Sequence, residues 1–479
     1  MLNYKYLNNI FLFSKKQIEN SKIFSEEIKL SKSYLYVNNQ TDLSVVKVDG
    51  YTIILIGYIL DIRDEKQTTD DILKNIIKTY TKGEEDFYDN INYLNGRYMV
   101  CISDKNDTKI FSDATALSPM FYYRNSVIAS HEIVLKTFLE KEYRIDLQEI
   151  SYDMNSFLDY NNTEEIYSFN PNLFFSYSKL QFKRFFPREK YKIQTLQDVI
   201  KKTEKYYLPQ LKWLNQNYKN IYLSLTGGFD SKFTLALARP IINEVQCFTY
   251  MYRFNDLDKY NLLNKHKKIY FMDKVIVDNL VYNFNLNHRY LFYDDYKVPS
   301  EYLKQIARNT SSHHSYKLSY MLLKNFQSDG VHLKSTIYEL AKLPYHSFAD
   351  MRVDDEWMIR ILQNWAPAEI KEDKKLLSKL YNDYKERNLL NEVIDLDYNL
   401  PLMLYWEYRL GNWHGNLTQE SDFIIDTFIL MNNRYMLNQI ISLSLNDRDK
   451  KSYLTEMIRK KWPALNYFVA NSFDTLEEH

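Results

Sequence analysis

The hydrophobic and polar positions fall into two regimes along the chain. In the first, short β-branched and aromatic runs separated by turn residues predict strands over 45–48, 51–60, 96–103, 109–112 and 120–123. One helical stretch interrupts them. Residues 69–81 begin at a Thr-Thr-Asp-Asp capping sequence with an acidic first turn, and Ile72, Leu73, Ile76 and Ile77 follow at helical spacing. This mixture predicts an α+β domain.

Beyond the connection at Phe185-Phe186-Pro187 the rhythm changes. A helix is expected over 196–217, followed by apolar strands over 221–225, 245–250, 288–292 and 331–334 with helical stretches between them. That alternation predicts a parallel sheet with helices on its faces. From residue 350 onward the pattern is nearly all helical and carries Trp357, Trp365, Trp406, Trp413 and Trp462. The boundary falls near residue 190, giving an α/β protein with domains 1–190 and 191–479.

Composition removes several classes. A chain of 479 residues exceeds one ordinary core. Lys plus Arg equals Asp plus Glu, 62 against 62, so no overall field recruits nucleic acid or an acidic membrane surface. With 43 Tyr and 27 Phe there is ample material for large cores. Cys101 and Cys247 each lie in an apolar run and read as buried thiols in a reducing cytoplasm. The apolar stretch over 51–60 is about half the roughly 20 residues a membrane span needs. The opening residues lack the basic start and long apolar segment of a signal peptide. The expectation is a soluble cytoplasmic protein with no nucleic-acid or membrane partner and room for a homo-oligomer.

The chemistry is concentrated after the strand over 221–225. Thr226-Gly227-Gly228-Phe229-Asp230-Ser231 forms a polar turn, and Lys232 to Ala238 opens a helix. Two adjacent glycines let main-chain N–H groups approach phosphate oxygens, and the helix dipole adds a favourable field. Asp230 is itself an anion, so its natural role beside phosphate is to hold Mg²⁺. A plain strand-to-helix turn capped by Asp or Ser is the structural alternative. The Gly-Lys-Ser/Thr ending of a Walker loop and the third glycine of a dinucleotide fingerprint are both absent.

This segment resembles the Ser-Gly-Gly-x-Asp-Ser loop of N-type ATP pyrophosphatases, and its setting resembles the asparagine synthetase superfamily. Thr226 keeps the hydroxyl of the usual Ser. Phe248-Thr249-Tyr250 matches the end of the family's second strand beside the adenine, and 273–288 the helix and strand that follow. Val331 to Leu340 resembles the second catalytic segment, usually Leu-Ser-Gly-Glu-Gly-Ala-Asp-Glu, but its glycines are gone and Glu339 is the only carboxylate. Lys451 to Pro463 resembles the family's Lys-x-x-Leu helix ending in Pro.

The resemblance implies a PP-loop (adenine nucleotide alpha hydrolase-like) domain that binds ATP and Mg²⁺. Its catalytic residues would be Asp230, Glu339 and Lys451, with Asp230 as metal ligand. Nucleotide contacts would come from Leu225, Thr226, Gly227, Gly228, Asp230, Ser231, Tyr250 and Ser335. Three alternatives stay open: Lys334 as a further nucleotide contact, Lys450 in place of Lys451, and Glu339 as an exposed helix position.

The first domain resembles the class II glutamine amidotransferase (Ntn-type) half of the same superfamily, through Leu94 to Val100, Asp113 to Tyr123 and Ala129-Ser130-His131-Glu132. Glutamine hydrolysis requires an N-terminal cysteine. Residue 2 is Leu and the first cysteine is Cys101, so no glutaminase activity is expected. The implied function is an ATP-dependent carbon–nitrogen ligase. It would adenylate the carboxylate of a small molecule or peptide, release pyrophosphate, and pass the acyl group to ammonia or an amine. Lasso-peptide cyclases and β-lactam synthetase, which the chain also resembles, use an amine already on the substrate. The competing expectation is a non-catalytic nucleotide-binding scaffold.

Two further features carry less. His313 and His314 are adjacent and would point in different directions from a helix, which argues against a metal site. The stretch 405–416 mixes aromatics with Glu407, Arg409 and His414, and is a candidate wall of the acceptor site.

Overall fold

The computed structural model describes residues 5–18, 24–154, 156–254, 265–312, 314–343 and 355–470. Its N-terminal part is built on β1 (Phe11–Ser14), β2 (Glu26–Lys29), β3 (Tyr34–Val37), β4 (Leu43–Val48), β5 (Tyr51–Asp61) and β6 (Leu94–Ser103). It continues with β7 (Thr108–Ser112), β8 (Phe121–Tyr123), β9 (Val127–Ala129), β10 (Ile166–Ser168), β11 (Leu173–Ser176) and β12 (Gln181–Arg184). These strands form two antiparallel sheets, ordered β10-β8-β9-β1-β3-β2 and β12-β11-β7-β6-β5-β4.

Side chains alternate between the two faces of each strand, and the alternation here builds four layers. Ile54 and Ile56 of β5 meet Phe11 and Phe13 of β1 between the sheets. Ile53 and Leu55 point the other way, onto Ile72, Leu73, Ile76 and Ile77 of the helix Thr69–Lys82. Thr68 caps that helix in a box with Asp71. On the far side, Leu12 and Tyr36 pack against Val134, Leu135 and Phe138 of the helix Glu132–Glu142. Gly57 and Gly96 let β5 and β6 approach closely: a Cβ at either would stand 2.2–2.3 Å from a carbonyl oxygen on the opposite strand.

The C-terminal part carries a five-stranded parallel sheet, ordered β15-β14-β13-β16-β17. Its strands are β13 (Asn220–Ser224), β14 (Val245–Met251), β15 (His288–Phe292), β16 (Gly330–Leu333) and β17 (Asp426–Phe428). The molecule is therefore an α/β protein with N-terminal antiparallel sheets followed by a parallel sheet and helices. None of the helices in the described residues is long and apolar enough to cross a membrane.

Two expectations are corrected. The helix expected over 196–217 is broken into Leu196–Thr203, a tight turn Glu204–Tyr206, and Tyr207–Asn217. Pro209 sits in the first turn of the last piece, where its missing N–H costs no helical bond. The parallel sheet has a fifth strand beyond the four expected, because within the otherwise helical C-terminal region β17 returns to pair with β16 through Val331↔Asp426, His332↔Thr427 and Leu333↔Phe428. Three residues are too few to display a strand period.

The two parts share one core and several buried polar ties. Trp406 donates its indole N–H to the Ala114 carbonyl at 2.7 Å. Arg97 of β6 pairs with Asp422 at 2.5 Å. Arg434 donates to the carbonyls of Ser112 and Asp113 at 3.0 and 3.1 Å.

Candidate active site

In the parallel sheet β13 lies between β14 and β16, so successive connections leave it in opposite directions. A crevice at the carboxyl ends of the strands is the expected ligand position at such a switch. The sequence places its glycine turn there. Leu225 extends the parallel pairing by donating to the Phe248 carbonyl at 2.8 Å, and its own carbonyl accepts from the Thr249 hydroxyl at 2.6 Å. Residues 226–228 then lead into the helix Phe229–Ala238, whose cap, Gly228, supplies no side-chain acceptor. The first-turn N–H groups consequently lack a side-chain cap, as an anion-binding helix terminus requires.

Hydroxyls shape the turn. Thr226 accepts the Gly228 N–H on Oγ1 at 3.1 Å, while Ser231 accepts the Thr226 N–H at 3.1 Å. The Gly227 N–H donates to the Asp273 carboxylate at 2.7 Å. Burial pushes the Asp273 carboxyl up to about 6, against the lowering effect of that hydrogen bond. Sequence reading assigned no role to Asp273, although the family-like helix segment began on it.

A cavity of about 350 Å³ opens in front of this turn. Of the expected site residues, Thr226, Gly228, Asp230, Ser231, Tyr250 and Ser335 line it. Phe248, His332, Lys334 and Thr336 add to the wall. Leu225 is buried behind the turn, and Gly227 is held back by Asp273. The hydroxyls of Ser335 and Thr336 are buried without a hydrogen-bond partner. The Tyr250 phenol is raised to about 12, mainly by burial. Burial pulls the His332 imidazole down to about 3, and Nε2 lies 3.0 Å from Ser224 Oγ. Lys334 is lowered to about 8 by burial, with Glu420 acting in the opposite direction.

Glu339 lies in a tight turn, Tyr338–Ala341, rather than on an exposed helix face. Its carboxyl is raised, first by burial and then by the negative charge of Asp230; Lys342 and Arg409 oppose the shift. Asp230 and Glu339 are thus close enough to act on each other electrostatically. Glu339 itself is not among the residues lining the cavity, whereas Lys342, which nothing in the sequence marks, does line it and donates its ammonium to both Asp230 oxygens, at 2.7 and 2.8 Å. Just before this turn Ile337 is buried in the left-handed region (φ 67°), a costly conformation for a β-branched residue.

Lys451 is exposed and caps the helix Ser452–Lys461 with left-handed backbone. Its ammonium stands 5.8 Å from the centre of the Phe229 ring, so it flanks the turn without lining the cavity. Lys232 lies over the same ring at 5.1 Å and donates to the Phe468 carbonyl at 2.6 Å. Burial, then Lys451, lowers it to about 8.

The stretch 405–416 divides by role. Tyr405–His414 winds as a π-helix, a rare form common at functional sites. Glu407 is taken up by Arg184, Asn170 and Asn172. The Arg409 guanidinium stacks over Trp413 at 3.6 Å, and the Trp413 ring lies 5.4 Å from that of His314. His414 is buried with both ring nitrogens unpartnered and is driven well below its ordinary value by burial, then Lys334 and Arg409. His313 lies outside the described residues, and no metal-holding cluster of three or more His, Cys, Asp or Glu occurs among those described. Cys101 and Cys247 are free and buried, and burial raises both thiols.

No protein-family model and no curated protein matches the sequence. Among solved structures the chain is similar to glutamine phosphoribosylpyrophosphate (PRPP) amidotransferase from B. subtilis complexed with ADP and GMP. The identity is 8%, the match covers 70% of this chain and 71% of that chain, and the TM-score is 0.22.

Proposed function

We propose that the chain is an ATP-dependent ligase of the asparagine synthetase type, in which a PP-loop domain adenylates a carboxylate and passes the acyl group to ammonia or an amine. The observation that carries this reading is the uncapped first turn of Phe229–Ala238 facing the cavity lined by Thr226, Asp230, Ser231 and Tyr250. In the proposed reaction a substrate carboxylate oxygen attacks the α-phosphorus of ATP, and the bond to the bridging oxygen breaks to release pyrophosphate. The amine then attacks the acyl carbon, AMP departs, and the amine loses a proton. First-turn N–H groups stabilise the pyrophosphate charge, with Lys451 and Lys232 alongside. Tyr250 and Phe248 offer faces for the adenine.

The Asp230 carboxylate faces the cavity and is a hard oxygen donor that suits Mg²⁺, so Asp230 is the residue that would hold it beside the phosphates. When bound it would neutralise charge on the phosphates. The acid or amine has a route through a second cavity of about 800 Å³ that shares Tyr250, His314, Ser315 and Leu318 with the first. Its wall of Tyr250, Tyr252, Tyr270, Tyr293 and Tyr316 suits a substrate with an aromatic or apolar body. The four-layered N-terminal part, in this reading, is an amidotransferase-like (Ntn-type) domain, 1–190, that serves as a platform.

The test is pyrophosphate release from Mg-ATP with candidate carboxylates, using Asp230→Ala as control. Release that depends on Asp230 is expected. Failure to bind ATP at millimolar concentration would sink the nucleotide-site reading. The pairing of Asp230 with Lys342 favours a second reading, a non-catalytic nucleotide-binding scaffold; binding without turnover on any acid would select it.

A further inference from the structure

The turn after β16 brings an unusual charge arrangement to the loop. Glu339 and Lys342 lie three residues apart in one turn, closed by the Lys342 N–H to the Glu339 carbonyl at 3.0 Å. From there the Lys342 side chain reaches back across the cavity mouth to Asp230, contacting both carboxylate oxygens. Side-chain exposures are 18% for Lys342 and 21% for Asp230, so the pair is sheltered but not sealed from solvent. It also acts on Glu339, lowering that carboxyl while Asp230 raises it.

A divalent ion held by Asp230 would need the same carboxylate oxygens to which Lys342 now donates. Two cations cannot share those oxygens, because their repulsion at contact distance is large in a partly desolvated site. Ammonium and metal ion are alternatives.

We propose that Lys342 is a resident counter-ion of the Asp230 carboxylate that competes with a divalent cation, so that metal enters this site only when Lys342 leaves Asp230. The incoming triphosphate supplies the reason to leave: it is a stronger anionic partner for a compact ammonium, and its oxygens complete the coordination of the ion. Lys342 thus passes from carboxylate to phosphate as the nucleotide docks. The pair keeps the loop carboxylate neutralised in the empty protein and withholds the metal site from free Mg²⁺. This inference rests on the nucleotide-site reading for its purpose, but the competition itself is measurable without nucleotide.

The experiment is titration of the full chain with Mn²⁺ in the absence of nucleotide, following the loss of the free aqua-ion signal by electron paramagnetic resonance. Lys342→Ala is expected to bind Mn²⁺ at least ten times more tightly than the unaltered protein, and adding Asp230→Asn to Lys342→Ala should remove the gain. Lys342→Arg, which keeps the charge, should show no gain. Equal affinities in the unaltered chain and Lys342→Ala would overturn the proposal, as would a gain that survives Asp230→Asn. Should circular dichroism show Lys342→Ala unfolded, Lys342→Gln carries the same criteria with a side chain closer in length. A fluorescent ATP analogue titrated in the same samples separates the two ideas. A Mn²⁺ gain without analogue binding leaves the competition standing and removes the nucleotide reading.

Discussion

The Asp273 carboxylate accepts the backbone N–H of Gly227 at 2.7 Å, so one anion already sits against the turn that is proposed to cradle another. The contact fixes the turn, and it also sets a charge behind the phosphate position.

Burial raises the Asp273 carboxyl from 3.8 to about 6, so the fold favours its protonated form. Its contribution to stability is fully present below the unfolded value, near pH 4, and is lost as pH rises through about 6. Asp273→Asn keeps an acceptor for Gly227 and removes the charge. The variant should gain stability relative to the unaltered protein between pH 4 and 7, by at most about 3 kcal/mol and less in proportion to remaining solvent contact. Urea midpoints across that range test it, and a flat difference would remove Asp273 as the titrating group.

Gly227 itself has no room for a side chain. A Cβ there would stand 2.9 Å from Asp273 Oδ1 and from Ile276 Cδ1, and 3.3 Å from the Asp273 Cα. Overpacking of this kind costs about 1–3 kcal/mol and shifts the backbone. Gly227→Ala is expected to lower the melting temperature by several degrees and weaken ATP binding at least tenfold. Tight binding in a destabilised variant would show that the turn geometry does not set affinity.

Lys451 differs in being exposed: its backbone bonds Arg448 and Thr455, but its ammonium flanks the Phe229 ring with no side-chain hydrogen bond among the described residues. Its replacement should therefore spare stability and strike charge stabilisation. Lys451→Ala is expected to hold the melting temperature within about 1 °C, the scale of a neutral surface change, while lowering pyrophosphate release about 10- to 1000-fold. Lys450→Ala, the neighbouring cation, should leave the rate nearly unchanged. A reversed ranking would exchange their roles.

Four of the five strands of the parallel sheet are legible because each is a short apolar run bounded by turns: the expected 245–250 and 288–292 correspond to Val245–Met251 and His288–Phe292, while the three-residue β17 is not marked. The glycine turn was legible for the same local reason. What stayed hidden depends on long-range pairing. Lys342 meets Asp230 across 112 residues and Asp273 meets Gly227 across 46, and neither lysine nor aspartate carries a local mark of its partner. The stretch Tyr405–His414 reads in the sequence as an aromatic candidate wall of the acceptor site, but its π-helical winding does not, since an extra residue in a helical turn barely alters the apolar period. The short strands β2 and β10 escaped because three or four residues show no usable alternation.

The last prediction concerns the joint between the two parts. Arg184 of β12 and Glu407 of the π-helix are almost fully enclosed, with side-chain exposures of 1% and 0%. The two terminal guanidinium nitrogens, Nη1 and Nη2, engage the carboxylate at 2.5 and 3.0 Å, and Asn170 and Asn172 each donate to it at 2.9 Å. Removing one partner strands the other charge out of water, which costs about 3–5 kcal/mol, whereas replacing both with apolar groups is often close to neutral. Glu407→Ala should therefore destabilise by that amount in urea, and Arg184→Met with Glu407→Leu should recover more than half of it. A single variant costing less than about 1 kcal/mol would mean that water or a neighbouring group reaches the stranded arginine, and that this pair does not lock the two parts together.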